Sequence, residues 1–306
     1  MTFHQHDETF AGLPVTEFPA ESVAGPVAWR VSYDEEDTSE EAVSPGFRAK
    51  FETFLSAHGA TTESLVIGPW GYAAFDHAPL TQLQEAAPRL PGLRSLFLGD
   101  ITFDECEISW MKVGDVSPLI TSFPLLETLQ VRGGEQFGFA PVASDSLRRL
   151  VVQSGGLPRS FTAAVLGSTF PQLTELELWL GTPDYGGDTT VADLSPLLGG
   201  TLFPGLRRLG LRNAEIADEL AAAIAHAPIV ARLESLDLSM GVLSDRGAHA
   251  LLAGQPLTHL RELHLAHHYL SEETAAAVVA ALPGTRVDVS EPQGADEDDR
   301  YVAVAE

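Results

Sequence analysis

An apolar frame with residues at its first, fourth and sixth places recurs along most of the chain. LESLDLSMGVL begins at Leu233, and LRELHLAHHYL begins 27 residues later at Leu260. Alternating apolar and polar residues over the fourth to sixth places indicate a short β-strand with one buried face. Self-similarity at this period predicts a stack of repeats. Nine copies align, with fourth and sixth places at Leu65/Ile67, Leu96/Leu98, Leu129/Val131, Leu150/Val152, Leu176/Leu178, Leu209/Leu211, Leu236/Leu238, Leu263/Leu265 and Val287/Val289.

The residues that follow the later strands have helical spacing. Leu220 and Ile224 recur with alanines on one side of a helix over residues 217–225, and Ser244 and Ser271 occupy N-cap positions with acidic residues directly behind them. A frame L-x-x-L-x-L followed by such a helix resembles the leucine-rich-repeat superfamily over about residues 60–290, and the 27-residue units resemble its ribonuclease-inhibitor type. The resemblance implies an α/β solenoid shaped as a curved horseshoe, with a parallel sheet on the concave face and helices on the convex face.

The ninth place of the frame departs from the family pattern. The resemblance implies an asparagine there, whose side chain bonds the backbone of the neighbouring loop. We expect four glycines to turn the chain through positive φ instead, and His268 to donate a hydrogen bond as the asparagine would. The residues at this place are Trp70, Ile101, Gly134, Gly155, Gly181, Ala214, Gly241 and His268.

Three segments are predicted from these patterns. Residues 1–60 lack the frame, and we interpret them as a strand-helix cap over the apolar end of the first repeat. Residues 61–291 form the solenoid of about nine units, and residues 292–306 form an acidic mobile tail. Within the cap, PVAWRVSY predicts a strand, DEEDTSEE an acidic loop, and PGFRAKFETFLSAHG a helix with Phe47, Phe51, Phe54 and Leu55 on one face.

The charge balance restricts the class of partner. The chain has 43 acidic and 18 basic residues and a formal net charge of −25, which repels nucleic acid and anionic lipid and favours a basic partner. The first residues lack the pattern of a signal peptide, and no apolar run is long enough for a membrane helix. Cys106 is the only cysteine, so no internal disulfide can form. We expect a cytoplasmic monomer.

Two surfaces are candidates for binding a protein. Loops after several strands are lengthened and carry aromatic residues among acidic ones, as in GDITFDECEISWMKVGDVS. These aromatic residues either fold back against the solenoid or, for Trp110 and Trp179 at least, are exposed as anchors. The second surface is the concave face, where fifth-place and seventh-place side chains point outward along an arc of about 40 Å. The predicted partner-binding residues are Trp70, Phe97, Trp110, Gln130, Arg132, Glu177, Trp179, Arg212, Asp237 and His264.

Motifs for catalysis, cofactors and metals are weak or missing. The chain contains no G-x-S-x-G, H-E-x-x-H or phosphate-binding G-K-[ST] motif. His4 with His6, and His264 with His267, are histidine pairs too small to predict a metal site alone. Cys106 lies between Glu105 and Glu107, which disfavour its thiolate. We therefore predict no catalytic residue, no cofactor and no metal.

These observations favour an intracellular protein-protein interaction module over an enzyme. It would bind its partner through the concave sheet and the aromatic, acidic edge loops. The alternative is an enzyme, or an accessory subunit of one, that uses the inserted acidic loops. The whole chain also resembles bacterial leucine-rich-repeat proteins encoded near radical SAM enzymes, and that resemblance implies an enzyme encoded nearby as the partner.

Overall fold

The protein alternates short strands with helices along its length. In the computed structural model, the described residues are 4–20, 23–35, 43–294 and 299–306. They form twelve strands and eight helices, and they divide into two compact units. The chain is therefore an α/β protein with mostly parallel strands. Most of the predicted acidic loop and part of the predicted acidic tail lie outside the described residues.

The N-terminal unit extends to Gln153 and includes Ser168–Phe170. Its first two strands pair antiparallel, and every later neighbouring pair is parallel in chain order. Its strands are β1 (Thr9–Phe10), β2 (Leu13–Glu17), β3 (Ala28–Tyr33), β4 (Ser64–Trp70), β5 (Ser95–Leu98), β6 (Thr128–Arg132) and β7 (Arg149–Gln153), and its helices are α1 (Pro45–His58), α2 (Leu80–Ala86) and α3 (Ser117–Ser122).

The C-terminal unit comprises Ser154–Gly167 and Pro171–Ala305. Its strands also pair parallel in chain order. The helices are α4 (Arg159–Leu166), α5 (Val191–Leu198), α6 (Ala217–Ile224), α7 (Asp245–Ala253) and α8 (Glu272–Ala281), and the strands are β8 (Glu175–Gly181), β9 (Arg208–Ala214), β10 (Ser235–Asp237), β11 (Glu262–His264) and β12 (Arg286–Asp288).

The register of the strands follows the apolar frame. Leu65 pairs with Leu96, Leu96 with Leu129, and Leu129 with Leu150 in the N-terminal unit. In the C-terminal unit the pairs are Leu176/Leu209, Leu209/Leu236, Leu236/Leu263 and Leu263/Val287. A one-residue slip would turn these leucines away from the core, so their burial specifies the register.

The local elements predicted from spacing and capping are confirmed. Strand β3 and helix α1 form as expected, and the four apolar residues predicted to share one face of α1 are buried. Leu220 and Ile224 are buried on α6. The hydroxyl of Ser244 accepts from the backbone N–H of Arg246, and that of Ser271 accepts from the backbone N–H of Thr274, each at 3.2 Å.

The glycines at the ninth place do not all turn the chain through positive φ, although the sequence predicts that they do. Of the four ninth-place glycines, only Gly181 has a positive φ, of 69°. A side chain at the others would instead collide with nearby backbone: a Cβ at Gly134 would lie 2.7 Å from the Cα of Ser109. Left-handed residues occupy the eighth place of four successive units instead: Asn213, Met240, His267 and Glu291, with φ of 53°, 71°, 55° and 58°.

His268 replaces the missing asparagine as predicted. Its Nδ1 accepts from the backbone N–H of Leu270 at 3.1 Å, so the Nε2–H is the donor that reaches the carbonyl of Val289 at 3.0 Å. Val289 belongs to the next unit, and the imidazole therefore bonds two loops together.

Residues 299–305, here called the C-terminal segment, pack against the C-terminal unit. Val302 and Val304 are buried. The backbone N–H of Ala303 donates to the carbonyl of Met240 at 2.8 Å, and that of Val304 donates to Oδ1 of Asn213 at 3.0 Å. Acidic composition predicts mobility, but two alternating valines supply the apolar contact that this prediction overlooked.

Candidate partner-binding site

A polar groove lies on the fifth-place face of the C-terminal unit, defined by Glu177, Gly210, Asp237, His264 and Asp288 on β8–β12. The four side chains are partly exposed, as the frame predicts for this place. Gly210 forms the floor, since a Cβ there would lie 3.0 Å from Cγ of Glu177. A cavity of about 150 Å³ lies in this groove beside Glu177, Asp237 and His264, and its other charged lining residues are Glu175, Arg208 and Glu262.

Arg212 organises one end of this groove. Its Nη1 lies 2.8 Å from Oε1 of Glu177, and its Nε lies 3.3 Å from Oδ2 of Asp237. The same Nε donates to the hydroxyl of Ser239 at 3.0 Å. Burial disfavours the charge on Arg212, but the two carboxylates outweigh burial and raise the pKa of Arg212 above its ordinary value. Predicted site residues Glu177, Arg212 and Asp237 thus form one ion-paired cluster.

Glu262 organises the other end. Its carboxylate lies 2.7 Å from Nη2 of Arg286, 3.8 Å from Nη1 of Arg208 and 3.7 Å from Nε2 of His264. His264 also faces Asp288, with Nδ1 3.9 Å from Oδ2. Hydrogen bonding from Ser290 outweighs the cost of burial and lowers the pKa of Asp288. Because these charges satisfy one another, a partner at this face would have to compete with internal ion pairs.

Trp179 is not an exposed anchor, contrary to one of the two interpretations of the loop aromatics. Only 2% of its surface is accessible, its indole N–H donates to Oε1 of Glu177 at 2.7 Å, and the guanidinium of Arg212 lies 5.2 Å from its ring centre. The long Arg212 side chain covers the indole face, so Trp179 supports the Glu177–Arg212 pair from inside the unit.

The fifth-place face of the N-terminal unit is covered, so Phe97 is not accessible there, contrary to the expectation that it is presented to a partner. Phe97 and Val66 are fully buried in a cluster with Phe10 and Ala28, against which Leu13 and Val15 also pack. The rings of Phe10 and Phe97 are 5.8 Å apart. Strands β1 and β2 bring Phe10, Leu13 and Val15 onto β4 and β5, because apolar fifth-place residues need a cover.

Gln130 and Arg132 are likewise buried rather than presented to a partner. Oε1 of Gln130 accepts from Nη1 of Arg149 at 3.2 Å. Arg132 donates from Nε to Oε1 of Gln153 at 2.8 Å and from Nη1 to the carbonyl of Ile101 at 2.9 Å. Burial lowers the pKa of Arg132 to about 10, and its hydrogen bonds connect the loop after β5 to the end of β7.

Trp70 is the remaining predicted site residue that the fold conceals. It is fully buried at the end of β4, and its indole N–H donates to the carbonyl of Asp76 at 3.1 Å. Oδ2 of Asp76 accepts in turn from the backbone N–H of Tyr72 at 2.9 Å. Trp70 and Asp76 therefore shape the loop that presents Tyr72.

An exposed aromatic patch formed by Tyr72, Phe75 and Trp110 lies on the loops after β4 and β5. Their surfaces are 39%, 75% and 59% accessible. The rings of Tyr72 and Phe75 meet edge to face at 5.3 Å, and Tyr72 and Trp110 line the same cavity. Of the predicted site residues, only Trp110 lies in this patch. The sequence did not single out Tyr72 and Phe75, because the local sequence does not distinguish a buried loop aromatic from an exposed one.

The cavity beside the patch has a volume of about 280 Å³ and an acidic rim. Glu105 accepts from His6 at 3.1 Å and from the backbone N–H of Thr102 at 2.7 Å. Burial opposes its charge, but these hydrogen bonds prevail and lower the pKa of Glu105. The cavity is lined by Tyr72, Phe103, Asp104, Glu105, Cys106, Glu107 and Trp110.

The histidine pairs do not assemble a metal site in the part of the chain that is described. Nδ1 of His6 lies 3.1 Å from the carbonyl of Asp100 and its Nε2 faces Glu105, while His4 lies 3.9 Å from Asp104. His267 is buried, and its Nε2 contacts the carbonyl of Tyr301 at 3.3 Å. Burial lowers the pKa of His267. None of the described helices is long and apolar enough to cross a bilayer.

Comparison with known proteins finds similarity to solved structures. No protein-family model and no curated protein matches the sequence. The crystal structure of a Bacteroides fragilis protein is similar, with a TM-score of 0.76 and 31% sequence identity over 82% of this chain and 72% of that chain. The two chains belong to one family. The two structures share a fold, and a shared fold alone assigns no activity.

Proposed function

We propose that this protein is a leucine-rich-repeat solenoid, curved as a horseshoe, that binds a protein partner and has no catalytic role of its own. The buried leucine frame, its in-register strands and the strand-helix units of 27 residues support the repeat type. His268 bridges adjacent loops where the leucine-rich-repeat superfamily uses asparagine, which supports the same assignment.

The observation that carries the binding role is the aromatic patch. Among the described residues, the exposed large apolar or aromatic side chains are Val23, Tyr72, Phe75, Trp110, Leu125, Val279 and Tyr301. Three of these seven are aromatic residues on neighbouring loops. Aromatic anchors surrounded by a polar rim are typical of the energetically dominant part of protein interfaces, whereas scattered exposed apolar residues are ordinary.

The enzyme alternative is less favoured by the same loops. Their carboxylates are either hydrogen-bonded within the unit, as in Glu105, or exposed, as in Asp104. Cys106 is buried, and burial together with Glu107 raises its pKa to about 11, which suppresses the thiolate that a nucleophile requires. An enzyme encoded beside this protein is the first partner to test.

The experiment uses the full chain carrying Trp110→Ala, with Leu125→Ala as a matched control. Leu125 is also an exposed apolar residue of the N-terminal unit but lies outside the patch. Partners identified by co-purification and mass spectrometry are purified, and their affinity for each variant is measured by calorimetry. We expect Trp110→Ala to weaken binding by about tenfold or more and Leu125→Ala to leave it unchanged. Equal affinity of the purified partner for all three proteins, with folding intact by circular dichroism, contradicts the proposal.

A further inference from the structure

We propose that the cavity beside Tyr72 and Trp110 is a recognition pocket for an arginine side chain presented by the partner. This inference rests on the proposed binding function and names the chemistry of the ligand. It is carried by aromatic surfaces, carboxylates and a cavity that meet at one place in the N-terminal unit.

The aromatic wall suits a cation. Trp110 offers an exposed indole and Tyr72 a half-exposed phenol ring to the same cavity. The face of an aromatic ring attracts a positive charge, most strongly in tryptophan. The adjacent Phe75 already shows this behaviour, since the ammonium nitrogen of Lys112 lies 5.8 Å from its ring centre.

The acidic rim selects for a positively charged group with several donors. Glu105 is occupied by His6 and Thr102, and Asp104 lies 3.9 Å from His4. The Glu107 carboxylate forms no hydrogen bond or ion pair within the part of the chain that the structure describes, and it lines the cavity. A guanidinium can stack on Trp110 and donate to a carboxylate at once, which a compact ammonium cannot do as well.

The size and the charge of the protein agree with this ligand. A cavity of about 280 Å³ accommodates one side-chain head group and its stem, rather than a folded domain. The net charge of −25 accelerates encounter with a basic segment and opposes encounter with nucleic acid. The ligand we infer is therefore a basic peptide segment of a protein, with arginine as the inserted residue.

The test uses three blocked pentapeptides, with arginine, lysine or the neutral isostere citrulline at the centre of a Gly/Ser sequence. All four tryptophans lie in the described part of the chain, and only Trp110 is exposed, so intrinsic fluorescence reports on this pocket. Nuclear magnetic resonance titration gives the affinities independently. We expect millimolar binding of the arginine peptide, with lysine weaker and citrulline weaker by about tenfold or more. Binding should also weaken with added salt.

Variants of the full chain separate the roles of the ring and the carboxylate. Trp110→Leu should weaken arginine binding by about fivefold or more, whereas Trp110→Phe retains most of it because a π face remains. Glu107→Gln should weaken it by about threefold or more. Glu273→Gln on α8, an exposed position of the other unit, changes the net charge equally and should have no effect.

Citrulline and arginine peptides that bind equally, or Glu107→Gln and Trp110→Leu variants that bind arginine like the wild type, would overturn this inference. These outcomes leave the proposed function intact if a purified partner still loses affinity on Trp110→Ala. If instead arginine binds as expected and no purified partner depends on Trp110, the pocket is real and the docking role is wrong.

Discussion

Cys106 lies between Glu105 and Glu107 on the loop after β5. It is buried, and its Sγ contacts the carbonyl of Glu107 at 3.5 Å. Burial is the main cause that raises the pKa of the Cys106 thiol to about 11, and the Glu107 charge adds to it. At the scale of one residue, the loop that supplies the acidic rim of the cavity also suppresses ionisation of Cys106, the only thiol of the chain.

We predict that Cys106 reacts slowly with thiol reagents. At pH 8 the thiolate population should be about a hundredfold below that of an ordinary exposed cysteine, and burial slows access further. The measurement is the rate of Ellman's reagent with the folded protein against N-acetylcysteine. The same protein in urea should react at the rate of the small thiol, and a folded protein that reacts equally fast would contradict this account.

Strands β1 and β2 act as a cover at the scale of secondary-structure elements. They place Phe10 on Phe97 and Val66, while His6 and Asp7 bond to Asp100. The buried Asp100 also pairs with Arg30 on β3. Residues 6–17 are thus attached to the rest of the N-terminal unit by both apolar contacts and hydrogen bonds.

We predict that Phe10→Ala lowers the free energy of unfolding by about 2–4 kcal/mol, because it leaves a cavity over Phe97 and Val66. Phe75→Ala is the matched control: Phe75 is 75% exposed, so its loss should change stability by about 0.5 kcal/mol or less. Urea unfolding followed by circular dichroism measures both. Similar losses in the two variants would show that β1 and β2 do not shield the core.

The C-terminal segment is a second covering element, attached to the left-handed eighth-place residues. Tyr301 contacts His267 and Tyr269, Ala303 bonds to Met240, and the backbone of Val304 bonds to the side chain of Asn213. A Cβ at Gly155 would lie 2.0 Å from the carbonyl oxygen of Ala305, so glycine is required where the segment ends.

We predict that attachment of this segment weakens as pH falls. Burial lowers the pKa of His267, so protonation of the imidazole favours the detached state of the segment. The attachment is therefore at full strength above the ordinary histidine pKa of about 6.5. It weakens as the pH falls below that value, towards the lower pKa of His267 in the folded protein. Hydrogen-exchange protection of the Ala303 and Val304 amides measures this. His267→Asn, which tolerates positive φ and does not titrate, should remove the pH dependence in that window; wild-type protection that is constant from pH 8 to 5 contradicts it.

At the scale of the whole molecule, the net charge of −25 opposes compaction. Many of the ion pairs are at exposed positions, such as Arg261 with Glu234 and Arg89 with Glu52. Exposed pairs contribute about 0–1 kcal/mol each and lose strength with salt. The same salt also screens the repulsion among the excess carboxylates. Because the excess of negative charge is large, we expect the relief of this repulsion to outweigh the weakening of the ion pairs.

We predict that the melting temperature rises as sodium chloride increases from about 10 mM to about 0.3 M at pH 7. The measurement is thermal unfolding by circular dichroism. A parallel series in potassium fluoride distinguishes screening from specific chloride binding. A melting temperature that falls over this range would mean that the ion pairs, rather than net repulsion, dominate the electrostatics of the protein.

The sequence by itself determined the elements and their register. The fourth-place leucines of the first eight units are buried, and caps such as Ser244 and Ser271 form where the spacing predicts them, because these features depend on neighbours within a few residues. His268 also acts as its place in the frame predicts. Local periodicity is sufficient to decide which face of a strand is buried against the helices.

Only the tertiary structure decided which of the remaining side chains are accessible. Phe97 and Glu177 occupy the same place of the frame, yet Phe97 is covered by Phe10 and Glu177 lines a groove, because segments distant in sequence return over one face and leave the other. Trp110 and Trp179 differ in the same way: Arg212 from the next strand covers Trp179, and nothing in the local sequence of either residue specifies such a cover. Exposure depends on long-range contacts, and in this protein those contacts leave Trp110 exposed and Trp179 covered.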